Sequence, residues 1–351
     1  MNYMKLLKLK NKQLFCIALI LFQINKSHAQ FNLFTKKEKL NQYSSVGFGG
    51  GTSNYFGDLS PYRYFYYGLI SSVRWNATIN YTRQLNPQLA ARVSFTWARI
   101  AGDDYNYSQR NIVKFQNAFL RNLHFRNDIK EFTISALYNI IPNGSGQRGR
   151  IRLNPYIFGG FGFYAHNPQA RDVVNTSVDF NTRIFTVTSL GAWTNLKDKQ
   201  TAGSNVDYSL VKPVFPIGFG FKYRINKSFD LGVEGGLRIT PFDYLDDVGK
   251  DPYIDPLILA ANGNPKSAVF ANRVNDNFAA STGGSRVEQF AQIARDTYFY
   301  SGNPRPSVDG ERIWGFNTGS VRGTGKWDSY LLGQISLHYI INAQAKCPPI
   351  K

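Results

Sequence analysis

Hydrophobic and polar residues alternate with a period of two along much of this chain. In residues 216–225, Ile217 and Phe219 share one face, while Gly218 and Lys222 lie on the other. A period of two is that of a β-strand whose two faces meet different environments. Eight candidate strands share this pattern: residues 44–51, 68–85, 88–101, 128–141, 153–165, 216–225, 229–239 and 327–341.

The turns between these strands follow from which residues must share a face. Ile225 should oppose Phe229 across a three-residue turn, and Leu85 should oppose Leu89 across another. Alternate connections of an antiparallel meander lie at opposite ends, so we expect all short turns at one end and all long loops at the other. The short connections are 86–88, 142–152 and 226–228, and the long ones are 52–67, 102–127, 166–212 and 241–326.

Strand length and aromatic placement favour a membrane barrel over a soluble β-barrel or sandwich. Most candidates have 13 residues or more, whereas strands of soluble sheets have about 5–6 and bilayer-crossing strands need about 9–11. The predicted fold is all-β: an eight-stranded antiparallel up-and-down outer-membrane β-barrel with short periplasmic turns and long extracellular loops. An aromatic girdle is predicted at the two bilayer boundaries, on the apolar face. Its members are Tyr81, Trp97, Tyr138, Phe163, Tyr223 and Tyr339.

In such a barrel the apolar face meets lipid and the polar face fills the lumen. Eight strands enclose a space just wide enough for side chains, so we expect the inward charges to pair and plug it. Arg224 should lie opposite Asp230, with Lys222 diagonal to it. The predicted lumen charge network is Arg74, Arg92, Glu131, Lys222, Arg224, Asp230, Glu234 and Arg238.

The first 29 residues have the composition of an export signal. Lysines precede an apolar stretch at 14–22, and Ser27 and Ala29 are small residues before a cleavage site at Gln30. Without this segment, 36 of the 41 Lys and Arg residues remain against 23 Asp and Glu, a net charge of +13. This excess would attract anionic lipid or an acidic partner, and export makes nucleic acid the weakest candidate. The predicted organisation is a signal peptide at 1–29, a periplasmic segment at 30–43, the barrel at 44–341 with its long loop 241–326, and a periplasmic tail at 342–351.

The motifs predict no catalytic residue, no cofactor and no metal site. The glycines of 47–51 lack the lysine and hydroxyl residue that a phosphate-binding loop needs, and the histidines lack the local spacing of metal ligands. The acidic segment 243–247 is interpreted as a solvated rim or a calcium loop, although the alternating ligands of an EF-hand are absent. A hydrolase at the outer rim is the least favoured function. Its candidate residues are Ser108, His124, His166, Asp243, Asp246 and Asp247.

Five stretches together resemble the PorG-like family of Bacteroidota outer-membrane proteins, also catalogued as a domain of unknown function. They are "NYFGDL" at 54–59, "RNLHFRNDIKEF" at 121–132, "NPYIFGGFGFYAHNP" at 154–168, "DLGVEGGLRITPFDYLDDV" at 230–248 and "WDSYL" at 327–331. The resemblance implies a non-enzymatic component of the type IX protein secretion system, which supports gliding motility in some members. It also implies that the barrel anchors a periplasmic ring of PorK-like and PorN-like components. Residues 249–326 lie outside it.

The anchoring hypothesis requires a contact surface at the periplasmic end. The turn "NGSGQRGRIR" at 143–152 is the longest of the short connections, and Arg148, Arg150 and Arg152 make it a possible partner contact. The alternative function is a cell-surface binding or adhesion barrel that acts through its long extracellular loops. The two hypotheses share one fold and differ in the end that binds.

Overall fold

The computed structural model describes residues 43–60, 70, 72–144, 147–179, 184–203, 206–261, 266–274, 276–293 and 318–341. The predicted signal peptide and the predicted tail at 342–351 lie outside these residues, as does all but the last residue of the predicted segment 30–43. No helix among the described residues is long and apolar enough to cross a membrane.

Eight antiparallel strands close into a barrel. Each pairs with its neighbour in the ring, and the first and last pair from Ser44 with Ile341 to Phe56 with Ser329. The predicted eight-stranded antiparallel barrel is therefore confirmed, with β1–β5 and β8–β10 forming it. The strands are β1 Ser44–Phe56, β2 Arg74–Gln84, β3 Leu89–Asp103, β4 His124–Asn139, β5 Leu153–Ala165, β6 Pro168–Asp179, β7 Ile184–Asn195, β8 Val211–Arg224, β9 Phe229–Ile239 and β10 Ser329–Ile341.

Strands β6 and β7 form a hairpin that the sequence analysis had placed within a long loop. β6 pairs with β4 beyond the end of β5, at Arg126 with Gln169 and Asn127 with Pro168. The β6–β7 register shifts after Arg171, as at a bulge. A bulge breaks the period of two, which hides the strand from an analysis based on alternation.

Two of the three short turns have the predicted register. Ile225 donates its backbone N–H to the carbonyl oxygen of Phe229 at 3.0 Å, and Leu85 donates to Leu89 at 2.9 Å. In each turn the side chain of the opening asparagine, such as Asn86, accepts backbone N–H groups two and three residues later. Asparagine stabilises turns through such bonds.

The barrel is apolar outside and polar inside. Phe215, Phe219 and Phe221 of β8 point outward and are exposed, while Arg92 and Glu131 on β3 and β4 are buried in the lumen. A soluble barrel has the opposite arrangement, because its apolar face forms the core. The outward apolar face is therefore the surface that meets lipid.

The long connections pack into a layer at one end of the barrel, here called the loop layer. It comprises the described residues within 57–72, 104–123, 166–210, 240–293 and 318–328. Leu59, Leu245 and Phe270 of this layer share one hydrophobic cluster with the inward-facing Tyr55 and Tyr330 of the barrel. The layer therefore fills the barrel mouth. Its short helices include α1 Asp104–Ser108, α2 Gln116–Arg121, α3 Pro256–Ala261 and α4 Lys266–Ala271.

Candidate functional site

The centre of the lumen contains a buried ion pair between strands that are not neighbours. Arg92 on β3 lies 2.6 Å from Glu234 on β9, measured from Nη1 to Oε2. The hydroxyl of Tyr156 on β5 donates to the same carboxylate oxygen at 2.7 Å. Arg92 also lies over the Phe158 ring at 4.8 Å, and Lys222 lies 5.0 Å from the centroid of the Tyr156 ring. These contacts connect β3, β5 and β9 across the interior of the barrel.

A second buried pair lies nearer the loop layer. The guanidinium of Arg238 on β9 is 3.5 Å from Glu131 on β4, and the Tyr330 hydroxyl donates to Glu131 at 2.5 Å. Arg238 follows Glu234 by four residues, so both side chains leave the same face of β9. One strand thus supplies partners for two neighbouring strands, β3 and β4, on the opposite side of the barrel.

The third inward charge of β9 has a partner that the sequence analysis assigned elsewhere. Asp230 pairs with Arg150 at 3.1 Å, and Arg150 donates to the carbonyl oxygens of Asn226 and Lys227. Arg150 is only 3% exposed. It therefore closes the turn end of the lumen, which is a different place from the partner surface predicted for it.

Two members of the predicted network lie at the ends of the lumen. Arg224 is opposite Asp230 in the strand register, as predicted, but its Nη1 donates to the carbonyl oxygen of Arg148 at 3.0 Å. Arg74, at the loop end, donates to the carbonyl oxygen of Val73. Both arginine side chains therefore donate hydrogen bonds to backbone carbonyl groups.

Inward glycines leave room for the large side chains of the network. A Cβ at Gly220 would lie 2.6 Å from the Tyr156 hydroxyl oxygen, and one at Gly47 would lie 2.5 Å from Nδ1 of His338. Such approaches are closer than carbon atoms allow, so a larger residue at either position would force these side chains to move. The lumen is filled by side chains as a narrow barrel requires.

The predicted aromatic girdle faces outward. Its four tyrosines lie towards the short turns, where the hydroxyl of Tyr81 is 2.8 Å from that of Ser44. Towards the loop layer, Trp97 packs edge-to-face on Trp75 with ring centroids 5.1 Å apart. All six side chains are exposed on the barrel wall: Tyr81, Trp97, Tyr138, Phe163, Tyr223 and Tyr339.

A pair of buried carboxyl groups lies at the base of the loop layer. The hydroxyl oxygen of Tyr55 is 2.7 Å from Oδ2 of Asp246 and 2.7 Å from Oδ1 of Asp328. A hydroxyl has one proton to donate, so one of these groups must be a carboxylic acid that donates to Tyr55. Burial raises the pKa of both well above the ordinary value, with nearby Asp58 adding to the effect on Asp246.

The five stretches that carry the family resemblance meet around this pair. Asn127 donates to the carbonyl oxygen of Leu245 at 2.8 Å and accepts the backbone N–H of Asn167 at 2.9 Å. Asp246 and Asp247 of the acidic segment are buried, which corrects its interpretation as a solvated rim: Asp247 accepts from the Tyr208 hydroxyl at 2.6 Å. One residue from each stretch shows the convergence: Tyr55, Asn127, Asn167, Asp246 and Asp328.

A small cavity adjoins this cluster. Its volume is about 20 Å³, and its lining includes His124, Asp246, Arg273 and Arg322. Within the described part of the chain, both terminal nitrogens of Arg273 and Nδ1 of His124 are buried without a hydrogen-bond partner. The size and polarity suit a single water molecule. An organic ligand or cofactor would not fit.

The side chains considered for a rim hydrolase are held in structural bonds. Ser108 donates its hydroxyl to the carbonyl oxygen of Asp104 within α1, and His124 accepts the backbone N–H of Arg171 at 2.9 Å. Burial lowers the pKa of His166 to about 4. No group of three or more His, Cys, Asp or Glu side chains in the described ranges is placed to hold a metal ion.

The turn end presents two of the three predicted contact arginines. Arg148 and Arg152 are exposed, and Arg152 donates to the Tyr223 hydroxyl at 2.9 Å. Lys227, in the neighbouring turn, is also exposed. With Arg150 buried, this smaller basic surface is the one that a partner or the lipid surface could contact.

The inverted barrel, its filled lumen and its outward aromatic residues define the chain as an outer-membrane β-barrel protein. The chain belongs to the family described as Domain of unknown function (DUF6089), whose model matches residues 25–210. No curated protein matches the sequence.

The chain is also similar to solved barrel structures at low sequence identity. Ail, the attachment invasion locus protein of Yersinia pestis, is 8% identical over 86% of this chain and 99% of its own, with a TM-score of 0.31. Neisserial surface protein A is 8% identical over 85% and 96%, also at 0.31. The outer membrane protein OprG from Pseudomonas aeruginosa is 8% identical over 86% and 97%, again at 0.31.

Proposed function

We propose that this barrel is a non-enzymatic anchor of the type IX protein secretion system, which holds the periplasmic ring against the outer membrane. The observation that supports this best is the filled interior. The buried pairs Arg92–Glu234, Glu131–Arg238 and Arg150–Asp230 follow one another along the lumen. A barrel filled in this way acts through its surfaces, and not as a conduit for a solute.

The turn end is the surface proposed to bind the ring. Export through the predicted signal peptide, together with an even number of strands, would put the short turns on the periplasmic side. Arg148 and Arg152 are exposed there, so an acidic patch on a PorK-like or PorN-like partner would complement them. The resemblance of the five sequence stretches to PorG-like proteins supports this choice of partner.

The test is affinity isolation from detergent-solubilised envelopes, with the partners identified by mass spectrometry. The double variant Arg148→Glu/Arg152→Glu should insert normally and recover less of the ring, because repulsion replaces attraction at that surface. A matched control, Arg110→Glu/Lys250→Glu, reverses two positive charges at exposed sites of the loop layer and so changes the net charge by the same amount. Equal ring recovery in both variants at low ionic strength would remove the turn end from the interface. Reproducible absence of ring components from the wild-type sample would refute the anchor itself.

A cell-surface binding protein is the second candidate function. The loop layer exposes large apolar side chains, including Trp327 at 63% and Ile258 at 55%, which is the kind of surface that a protein partner covers. Replacing these side chains with serine should abolish surface attachment and leave secretion intact if the second function is correct. If the serine variants instead lost secretion while still recovering the ring, the loop layer would serve secretion. That result would contradict both the turn end as the sole site for secretion and the loop layer as a site for surface attachment alone.

A further inference from the structure

Basic side chains lie on the outer wall of the barrel immediately above the lipid-facing band. On β4, Arg126, Asp128 and Lys130 alternate with buried residues and therefore share the outward face. Lys130 is directly opposite Trp97 of β3 in the strand register, and Arg99 is opposite Asp128. We call these four charged residues the wall cluster.

The wall cluster has more positive than negative charge. Arg99 and Asp128 form a two-point ion pair at 2.6 and 2.7 Å, so the single carboxylate is already engaged. Among the described residues, the hydrogen bond of the Arg126 guanidinium runs from Nε to the side-chain oxygen of Gln169 at 3.1 Å. Lys130 is exposed, and no carboxylate of the described residues is paired with it. Two cationic groups therefore remain for an external anion.

Tryptophans place the wall cluster at the edge of the bilayer. The Arg126 guanidinium lies 4.2 Å from the centroid of the Trp193 ring, and that of Arg99 lies 5.8 Å from the centroid of Trp75. Below these rings, Phe95 and Phe132 are exposed on the lipid-facing surface. Tryptophan prefers the boundary between acyl chains and headgroups, so the cations lie at headgroup depth.

We propose that the wall cluster binds the phosphate groups of a lipid headgroup in the outer leaflet. Arg126 and Lys130 are four residues apart on one strand, roughly 13 Å, which suits one phosphate at each side chain better than one phosphate shared by both. The Arg99–Asp128 ion pair lies between these two side chains and links β3 to β4. The cluster continues the surface that already meets lipid, which favours a lipid over a protein as the occupant. This inference is independent of any role in secretion.

Binding of a diphosphorylated glycolipid to the purified barrel in neutral detergent tests the proposal, with native mass spectrometry as the readout. Wild type should retain this lipid and should not retain the same lipid after enzymatic dephosphorylation. Arg126→Gln/Lys130→Gln should weaken retention by about tenfold, since two solvent-exposed ion pairs with phosphate are lost. Arg110→Gln/Lys250→Gln removes equal charge from the loop layer and should have no effect.

Three further measurements complete the test. Lys130→Arg keeps the charge and should retain the lipid, and the unheated gel mobility of every variant shows whether it is folded. Inorganic phosphate at millimolar concentration should not displace the lipid, because it lacks the acyl chains that the flanking rings contact. Equal retention of the dephosphorylated lipid, unchanged binding by the folded double variant, or displacement by inorganic phosphate would each overturn the proposal.

Discussion

Single side chains in the lumen join strands that are far apart in the ring. Arg92 on β3 reaches Glu234 on β9, and Arg150 reaches Asp230 from a turn. The alternation of apolar and polar residues predicted that the charged side chains of the strands point inward, because successive residues of a strand point to opposite faces. It could not predict their partners, because register relates adjacent strands and says nothing of contacts across the lumen. Arg150 was assigned to the partner-contact surface because it lies in a turn, where the alternation of a strand no longer says which way a side chain points.

The buried pair at the centre of the lumen should contribute more to stability than an ion pair on the wall. Glu234→Ala leaves Arg92 buried and unpaired, so we expect a loss of about 3–5 kcal/mol in the free energy of unfolding. Asp128→Ala breaks the half-exposed pair with Arg99, where we expect at most about 1 kcal/mol. Urea unfolding of the detergent-solubilised protein, followed by tryptophan fluorescence, measures both. Similar losses would mean that water reaches the central pair.

Asp243 should make the stability of the loop layer depend on pH. Partial burial, with the negative charges of Asp58 and Asp251, raises its pKa to about 7. The folded protein therefore holds a proton that the unfolded chain releases near pH 4, so this contribution is complete at low pH and is lost as the pH rises towards and through 7. Asp243→Asn imitates the protonated group at every pH. The variant should melt at a higher temperature than wild type at pH 8, and the difference should shrink at pH 5. A difference that is the same at both pH values would contradict this account.

At the scale of elements, the predictable strands are those that lie between lipid and lumen. Their two faces meet different environments over their whole length, so their sequences alternate, and all eight were predicted with ends within a few residues over the membrane band. β1, β3, β4 and β8 extend further into the loop layer than predicted, β2 begins six residues later than predicted, and β6 and β7 lie in that layer entirely. In that layer both faces of a strand contact protein or water and the constraint of period two is lost.

Charge on the lipid-facing side of a strand should oppose insertion. Phe219, near the middle of β8, is 61% exposed on the barrel wall. Phe219→Arg should cost about 2–4 kcal/mol, because the guanidinium enters the hydrocarbon region. Val287→Arg places the same side chain at an exposed apolar site of the loop layer and should be tolerated. The amount of heat-modifiable protein in the outer-membrane fraction measures insertion. Equal amounts of the two variants would mean that the outward face of β8 does not meet lipid.

At the scale of the whole molecule, both ends of the lumen are closed by different means. Arg150 closes the turn end with an ion pair, and the loop layer fills the opposite mouth with a hydrophobic cluster around buried carboxyl groups. The fold class followed from strand count and connection lengths, but the closure of the mouth did not, since it depends on contacts between residues such as Tyr55 and Asp246 that are far apart in sequence. The surfaces left for function are the turn end, the wall and the outer side of the loop layer.

Closure of the ring and filling of the lumen should together make the folded barrel resistant to detergent. Every strand of the ring is hydrogen-bonded on both sides, from the β1–β10 pair round to β3–β4, so unfolding has no free edge at which to begin. The protein should therefore be found in the outer-membrane fraction and run faster on a detergent gel when unheated than when boiled. Glu234→Ala should lower the temperature at which the fast form disappears, whereas Asp128→Ala should leave it nearly unchanged. Recovery of wild type in the soluble periplasmic fraction, or a single mobility at all temperatures, would contradict a closed membrane barrel.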